Sequence, residues 1–439
     1  MPAVADLTLA YGSTYQQLRL PDAKAEFLAP KQTPAVPNIE EAVRYALRNP
    51  TGKDQLRELL RGKRRVVICI SDGTRQCAYP QTLPILLDEL NKGGVPDKGV
   101  NLVIATGSHR AMGTEEIRKH LGDAVCRRVK VHNHDCHHTS GLIRSGKTDR
   151  GTVLYYNKMV SDADFLILAS SITYHYFAGF TGGRKALFPG CAGFDSIVAN
   201  HSLTIDHETG TFNPKCRAGI LTGNPIHEDT VDAALQLDPD FMMDAVLNTD
   251  GEIAGVFAGD FSYAHRVGCY FVEDRFGIRL QEKYPLVIAS CGGFPKDINL
   301  YQAHKSMEFA SYGLKPKGTL ILLAECREGM GHSGFEHWVK LPTMADISDE
   351  LRSQYRPIGH LALALRRKTE EFNVILVSSI TPEVLKPWGI KPAASLSDAM
   401  AMAADDGAPM DEPAVIPNAS VTVPISGDQI LPKTDKHGG

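Results

Sequence analysis

The stretch DFLILASSI, residues 164–172, decides the fold class. Its apolar residues run without a break before two serines. A strand with one wet face alternates apolar and polar residues. An unbroken run of this length suits a strand buried on both faces, as in a parallel sheet. Five more runs read the same way: RRVVICISD (64–72), VNLVIATGSH (100–109), YPLVIASCGG (284–293), GTLILLAEC (318–326) and FNVILVSSI (372–380). Helical patterns lie between them. YPQTLPILLDELNKGG has apolar residues at helical spacing and ends in glycines. GTEEIRKHLGD places two glutamates after Thr114, where a helix start is positive. QAHKSMEFASYGL and EVLKPWGI follow later strands. Strand alternating with helix predicts an α/β fold of two domains with mainly parallel sheets, and a site in the cleft between them.

The segment EDRFGIRLQEKYP (273–285) reads as a hinge. It divides an N-terminal cofactor-binding and catalytic domain, residues 1–275, from a smaller α/β domain, residues 284–405. The strand-like tail AVIPNASVTVPISG (414–427) is expected to return with residues 408–439 to the first domain, and KTDKHGG to be disordered.

At 439 residues the chain is long enough for two cores. A net charge of −4 gives no reason to expect nucleic acid or an anionic membrane as partner. No run approaches the roughly 20 apolar residues of a membrane span. Nine scattered cysteines without a C-x-x-C pair, and a start lacking the pattern of a signal peptide, predict reduced thiols in the cytoplasm.

Three strand-end loops carry candidate chemistry, because ligands of open α/β sheets bind beyond the carboxyl ends of strands. In SDGTRQ, Asp72 and Thr74 can cap a turn, and Arg75 can clamp a carboxylate or phosphate. In ATGSHR, Gly107 permits close approach of a ligand, and His109 stands at the strand end. YHYFAGFTGGRKALFPG (174–190) holds His175, a glycine-rich turn and Lys185, and His201 follows. Gly182 and Gly183 could turn their N–H groups toward a phosphate. Lys185 could be a phosphate contact or a covalent anchor. In DINLYQAHK (297–305), Tyr301, Gln302 and Lys305 share a helical face.

Two further motifs read as structure. GLIRSGKT (141–148) matches the phosphate-loop pattern, but polar residues precede it and a β-branched run follows, so it reads as a turn between two strands. HNHDCHH (132–138) offers metal ligands on one short loop, where they cannot all converge; a surface or supporting role is expected.

In combination, SDGTR, ATGSHR with the following MGTEEI, HYFAGFTGGRKALFPG, ANH and LYQAHK resemble the nickel-pincer-nucleotide lactate racemases and their relatives. The resemblance runs from about residue 10 to 425. It implies a pyridinium mononucleotide with two sulfur-bearing arms, one joined to Lys185 as a thioamide, and nickel with His201 as a ligand. Gly182 and Gly183 are then candidates for the phosphate, with Asp72, Thr74 and Gly107 also near the cofactor. It implies His109 and His175 as the acid–base pair, and Arg75 and Lys305, with Gln302 and Tyr301, as carboxylate ligands. The expected activity is racemisation or epimerisation of a 2-hydroxy acid by proton-coupled hydride transfer through a 2-keto acid. The expected partners are a small-molecule 2-hydroxy acid and the proteins that build the cofactor. Gln76, Ser108 and Tyr174 depart from the usual pattern beside the reacting residues, and bear on which acid is used.

Three other readings make different demands. A nicotinamide-dependent dehydrogenase needs a G-x-G-x-x-G turn at the first strand, which is missing. A nickel-binding carrier built on HNHDCHH loses its nickel when that cluster is removed. An inactive relative has no need of Arg75, His109, His175, Lys185 and His201 together.

Overall fold

The computed structural model describes residues 4–21, 25–206, 208–356 and 358–425. The chain forms two compact units, each discontinuous in sequence. One comprises residues 32–203 and 220–274; the other comprises residues 1–31, 204–219 and 275–439.

The first unit is built on a six-stranded sheet. In spatial order its strands are Ile253–Gly259, Phe241–Leu247, Phe165–Ser171, Val66–Ser71, Val100–Ala105 and Lys130–Asn133. All neighbours are parallel except the first pair. The unbroken apolar runs are explained by burial on both faces. Val66, Ile68 and Ile70 enter one core with Leu83, Leu86 and Leu90 of the helix Tyr79–Lys92. The intervening Val67 and Cys69 enter a second core with Leu154, Tyr156 and Ile197. This is the two-residue period of a strand covered by helices on one side and further structure on the other. GLIRSGKT is not the turn expected: Leu142–Lys147 is itself the first strand of an antiparallel hairpin with Val153–Asn157, and the turn follows it at 148–152.

The second unit has a six-stranded, wholly parallel sheet. Its order is Lys391–Ala393, Asn373–Val377, Leu314–Leu323, Tyr284–Ser290, Ala414–Ile416 and Glu26–Phe27. An N-terminal hairpin, Val4–Tyr11 with Thr14–Pro21, adds Leu9, Leu18 and Leu20 to the same core as Leu286 and Ile288.

The domain boundaries therefore differ from those expected. The tail does not return to the N-terminal unit: Ala414–Ile416 is buried between Tyr284–Ser290 and Glu26–Phe27. Residues 1–31 and 204–219 also belong to the C-terminal unit rather than to a 1–275 domain. One division between the units falls at 274/275, within the hinge read at 273–285, and that segment is ordered structure. Its first residues end the helix Tyr263–Phe276, and Gly277–Arg279 pairs with Val423–Ile425. KTDKHGG lies outside the described residues.

Candidate active site

Sheet order places the three loops side by side. They leave the carboxyl ends of Phe165–Ser171, Val66–Ser71 and Val100–Ala105, which are consecutive neighbours in the sheet. Beyond the latter two ends lies a cavity of about 720 Å³, lined in part by Asp72, Thr74, Arg75, Gln76, His109 and Lys119.

Asp72 organises this cavity. Its Oδ2 lies 2.7 Å from His109 Nδ1, and its Oδ1 accepts the Thr74 hydroxyl at 2.5 Å. Burial raises its pKa, but the hydrogen bond and charge of His109, the Thr74 hydroxyl and the Arg75 charge outweigh this and bring it down to about 2. A carboxylate at Nδ1 fixes the His109 proton there and leaves the lone pair on Nε2. Among the described residues the half-buried Arg75 guanidinium has no hydrogen bond or ion pair, so its fork is free for an anion.

The loop after Phe165–Ser171 folds back on itself. Tyr174–His175 pairs with Gly179–Phe180, setting His175 opposite Gly179. Gly179 has φ +78°, and a Cβ there would stand 2.3 Å from the Ile220 carbonyl oxygen, so only glycine closes this turn. His175 Nδ1 accepts the Ala178 N–H at 3.2 Å, which places the proton of the neutral ring on Nε2. Tyr174 is buried and stacks on Phe180 at 5.0 Å.

Phe177 joins the remaining candidates. Its ring centroid is 4.5 Å from that of His175 and 5.3 Å from that of His201, in the last turn of the helix Phe194–Ser202. Lys185 Nζ stands 5.8 Å from the same centroid. That amine makes no hydrogen bond or ion pair among the described residues. Its pKa is pushed well below the lysine range, first by burial and then by the charges of Arg184 and Arg75. An amine of lowered basicity and an imidazole on one phenyl ring suit a covalent anchor beside a nitrogen metal ligand.

For Gly183 the glycine expectation needs correction. Gly183 N–H donates to Asp244 Oδ2 at 2.6 Å and is not available to a phosphate. The Gly182 carbonyl accepts from Arg184, and both glycines are buried against Asp244, Ile172 and His265. Their role is to let the turn pass close to that carboxyl group. Gly107 also serves the turn: it has φ +55°, and its N–H donates to the Gly190 carbonyl at 2.9 Å.

Tyr301, Gln302 and Lys305 lie in the C-terminal unit, on the helix Leu300–Ser311 capped by Asn299. Lys305 Nζ donates to Gln302 Oε1 at 2.7 Å, and Tyr301 stacks near His332 at 6.0 Å.

The histidines of HNHDCHH go separate ways. His134 is buried between Asn157 and the Ala192 carbonyl, and its own carbonyl accepts the Thr106 hydroxyl behind the His109 loop. His132 meets Asn101, His137 stacks on Phe194, and His138 meets Ser140. Among the described residues no group of three or more His, Cys, Asp or Glu side chains is arranged to hold a metal ion.

The family model of the lactate racemase N-terminal domain matches residues 11–212, and that of the C-terminal domain matches residues 281–423. The chain belongs to the lactate racemase family. It is 33% identical to the lactate racemase of Thermoanaerobacterium thermosaccharolyticum over 409 residues, covering 91% of this chain and 94% of that one. It is 35% identical to the lactate racemase of Lactiplantibacillus plantarum over 374 residues, covering 82% and 85%. The structure of the Thermoanaerobacterium lactate racemase apoprotein superposes with a TM-score of 0.88 at 32% identity, over 96% of this chain and all of that one. A Thermotoga maritima protein of 17% identity shares the fold, with a TM-score of 0.63 over 88% and 98%. Membership of the lactate racemase family makes the chain an isomerase. No helix among the described residues is long and apolar enough to cross a membrane.

Sequence reading passed over Phe177 and Arg184, although both stand inside the quoted loop. It also missed Asp244, His227 and His265, which come from distant elements. One local signal existed: His265 and Cys269 are four apart on the helix Tyr263–Phe276.

Proposed function

We propose that the protein racemises a 2-hydroxy acid, lactate in the first instance, by proton-coupled hydride transfer in the cytoplasm. The observation that carries this reading is the Asp72–His109 pair facing one cavity with an unpaired Arg75. Arg75 binds the substrate carboxylate through two parallel N–H donors. His109 Nε2 takes the proton of the 2-hydroxyl, and Asp72 stabilises the imidazolium that forms. Loss of that proton and of a hydride from C2 leaves a planar 2-keto acid. His175, with its proton on Nε2, donates to the oxygen when the hydride returns to the opposite face. The two rings thus begin with complementary protonation, as an acid–base pair must.

Lys185 and His201 fit a nickel-pincer nucleotide, which when bound supplies the hydride acceptor. The amine would carry the covalent link and the imidazole a metal bond. Tyr301, Gln302 and Lys305 would add carboxylate contacts. Proteins that build and install the nucleotide are the expected partners. Nine unbridged cysteines fit a reducing compartment.

The test uses protein co-expressed with cofactor-building enzymes, given enantiopure lactate in deuterated buffer. Chiral chromatography should show convergence on equal enantiomers, with protium retained at C2. Deuterium at C2 would replace hydride transfer with proton abstraction. Accumulating keto acid with consumption of soluble nicotinamide would indicate a dehydrogenase.

A further inference from the structure

Arg184 is 1% exposed, and among the described residues it has no carboxylate within ion-pair distance. Neutral groups solvate its guanidinium instead. Nη1 donates to the Gly182 carbonyl at 3.2 Å and meets His265 Nε2 at 2.6 Å. Nη2 donates to the Phe180 carbonyl at 3.3 Å and to His227 Nδ1 at 2.9 Å. His227 comes from the helix Pro225–Leu235 and His265 from the helix Tyr263–Phe276. Burial, first, and the Arg184 charge hold both imidazoles well below the usual histidine range, so both are neutral: His227 Nδ1 accepts from the guanidinium, and His265 Nε2 lies between Arg184 Nη1 and the Thr181 carbonyl, 2.8 Å away. Burial lowers the guanidinium itself only to about 10, and it stays charged at neutral pH. A buried cation without a counter-ion is costly, and its field is weakly screened. The next residue along the chain is Lys185.

We propose that Arg184 is a positioning residue: a fixed buried positive charge, clamped by His227 and His265, that keeps Lys185 a free amine reactive toward activated acyl groups. This rests on reading Lys185 as the point of covalent attachment. The groups acting on the amine are Arg184 and Arg75, both cationic, the neutral His227 and His265, and the apolar face of Phe177. Asp244 is the nearby acid, but its Oδ2 is engaged by the Gly183 N–H, and burial raises its pKa to about 7.

The experiment needs neither cofactor nor turnover. Full-length protein made without cofactor is treated with acetic acid N-hydroxysuccinimide ester from pH 6 to 10. Modification of Lys185 is followed by peptide mass mapping. The amine nitrogen attacks the ester carbonyl and a C–N bond forms. The C–O bond breaks, N-hydroxysuccinimide leaves with its electron pair, and the amine proton passes to water. Wild-type Lys185 should label with a midpoint clearly below the ordinary lysine value of about 10.4. Arg184→Gln should raise the midpoint by about one unit or more, and Arg184→Lys should leave it nearer wild type. Thermal melting of each variant separates a folding defect from the shift. A wild-type midpoint in the ordinary lysine range overturns the proposal even if Arg184→Gln fails to fold. Superimposable profiles for wild type and Arg184→Gln also overturn it. Normal labelling in a protein that racemises nothing would count against the function and not against this role.

Discussion

The carboxylate of Asp72 lies 2.7 Å from Nδ1 of His109, and the two residues come from the ends of adjacent parallel strands. Sheet register thus sets an acid–base pair that no single loop contains. Asp72→Asn keeps the shape but removes the charge that stabilises the imidazolium. The expected result is a fall in kcat of about 10²- to 10⁴-fold with little change in KM, measured on the cofactor-loaded enzyme. Because the folded pKa of Asp72 is depressed, its contribution to stability is present above the unfolded value of about 3.9 and disappears as pH falls through about 2. Melting curves of wild type and Asp72→Asn should therefore converge in that interval.

Arg75 is the unpaired fork of the cavity. Arg75→Lys keeps the charge but loses bidentate geometry, so KM for the hydroxy acid should rise about tenfold or more. An unchanged KM would remove Arg75 from carboxylate binding.

Glu308 tests the C-terminal unit. It is 4% exposed and bonded to Lys368 at 2.9 Å and Arg367 at 3.2 Å. Burial raises its pKa, but the two cations outweigh this and bring it to about 2. Glu308→Gln leaves buried positive charge without its partner and should cost about 3–5 kcal/mol in urea unfolding at pH 7. The depressed pKa makes this contribution present above the ordinary glutamate value of about 4.3 and lost toward pH 2, so the gap between the two proteins should narrow there.

The histidine-rich loop gives a contrast in metal retention. His132→Ala with His138→Ala removes imidazoles that meet Asn101 and Ser140. Nickel measured after exhaustive dialysis of loaded protein should be unchanged, whereas His201→Ala should lose most of it. The reverse result would identify the loop as the metal site.

Three neighbouring strands of each sheet were legible because burial on two faces leaves an unbroken apolar run, as in Phe165–Ser171 and Tyr284–Ser290. The placing of Asp72, Arg75 and His109 just beyond strand ends was legible because each follows such a run. Glu26–Phe27 was not legible as part of the second sheet. Its pairing with Ala414–Ile416 depends on a partner far along the chain, and a two-residue strand has no periodicity to read. The glycine turn was legible as a tight turn but not by its contacts. Gly183 looked like a phosphate donor, since nothing nearby in sequence announces Asp244 beneath it.

The pairing of Glu26–Phe27 with Ala414–Ile416 also sets an order of events during synthesis. The ribosome releases Glu26–Phe27 early and its partner strand Ala414–Ile416 late, separated by most of the chain. At roughly 5–20 residues per second this delay is on the order of tens of seconds. All segments of the unit that holds Asp72, His109 and Lys185 emerge within that interval. The nascent hairpin meanwhile exposes Leu9, Leu18 and Leu20, side chains destined for a core that does not yet exist. A segment made before the whole site-bearing unit is thus secured only after it.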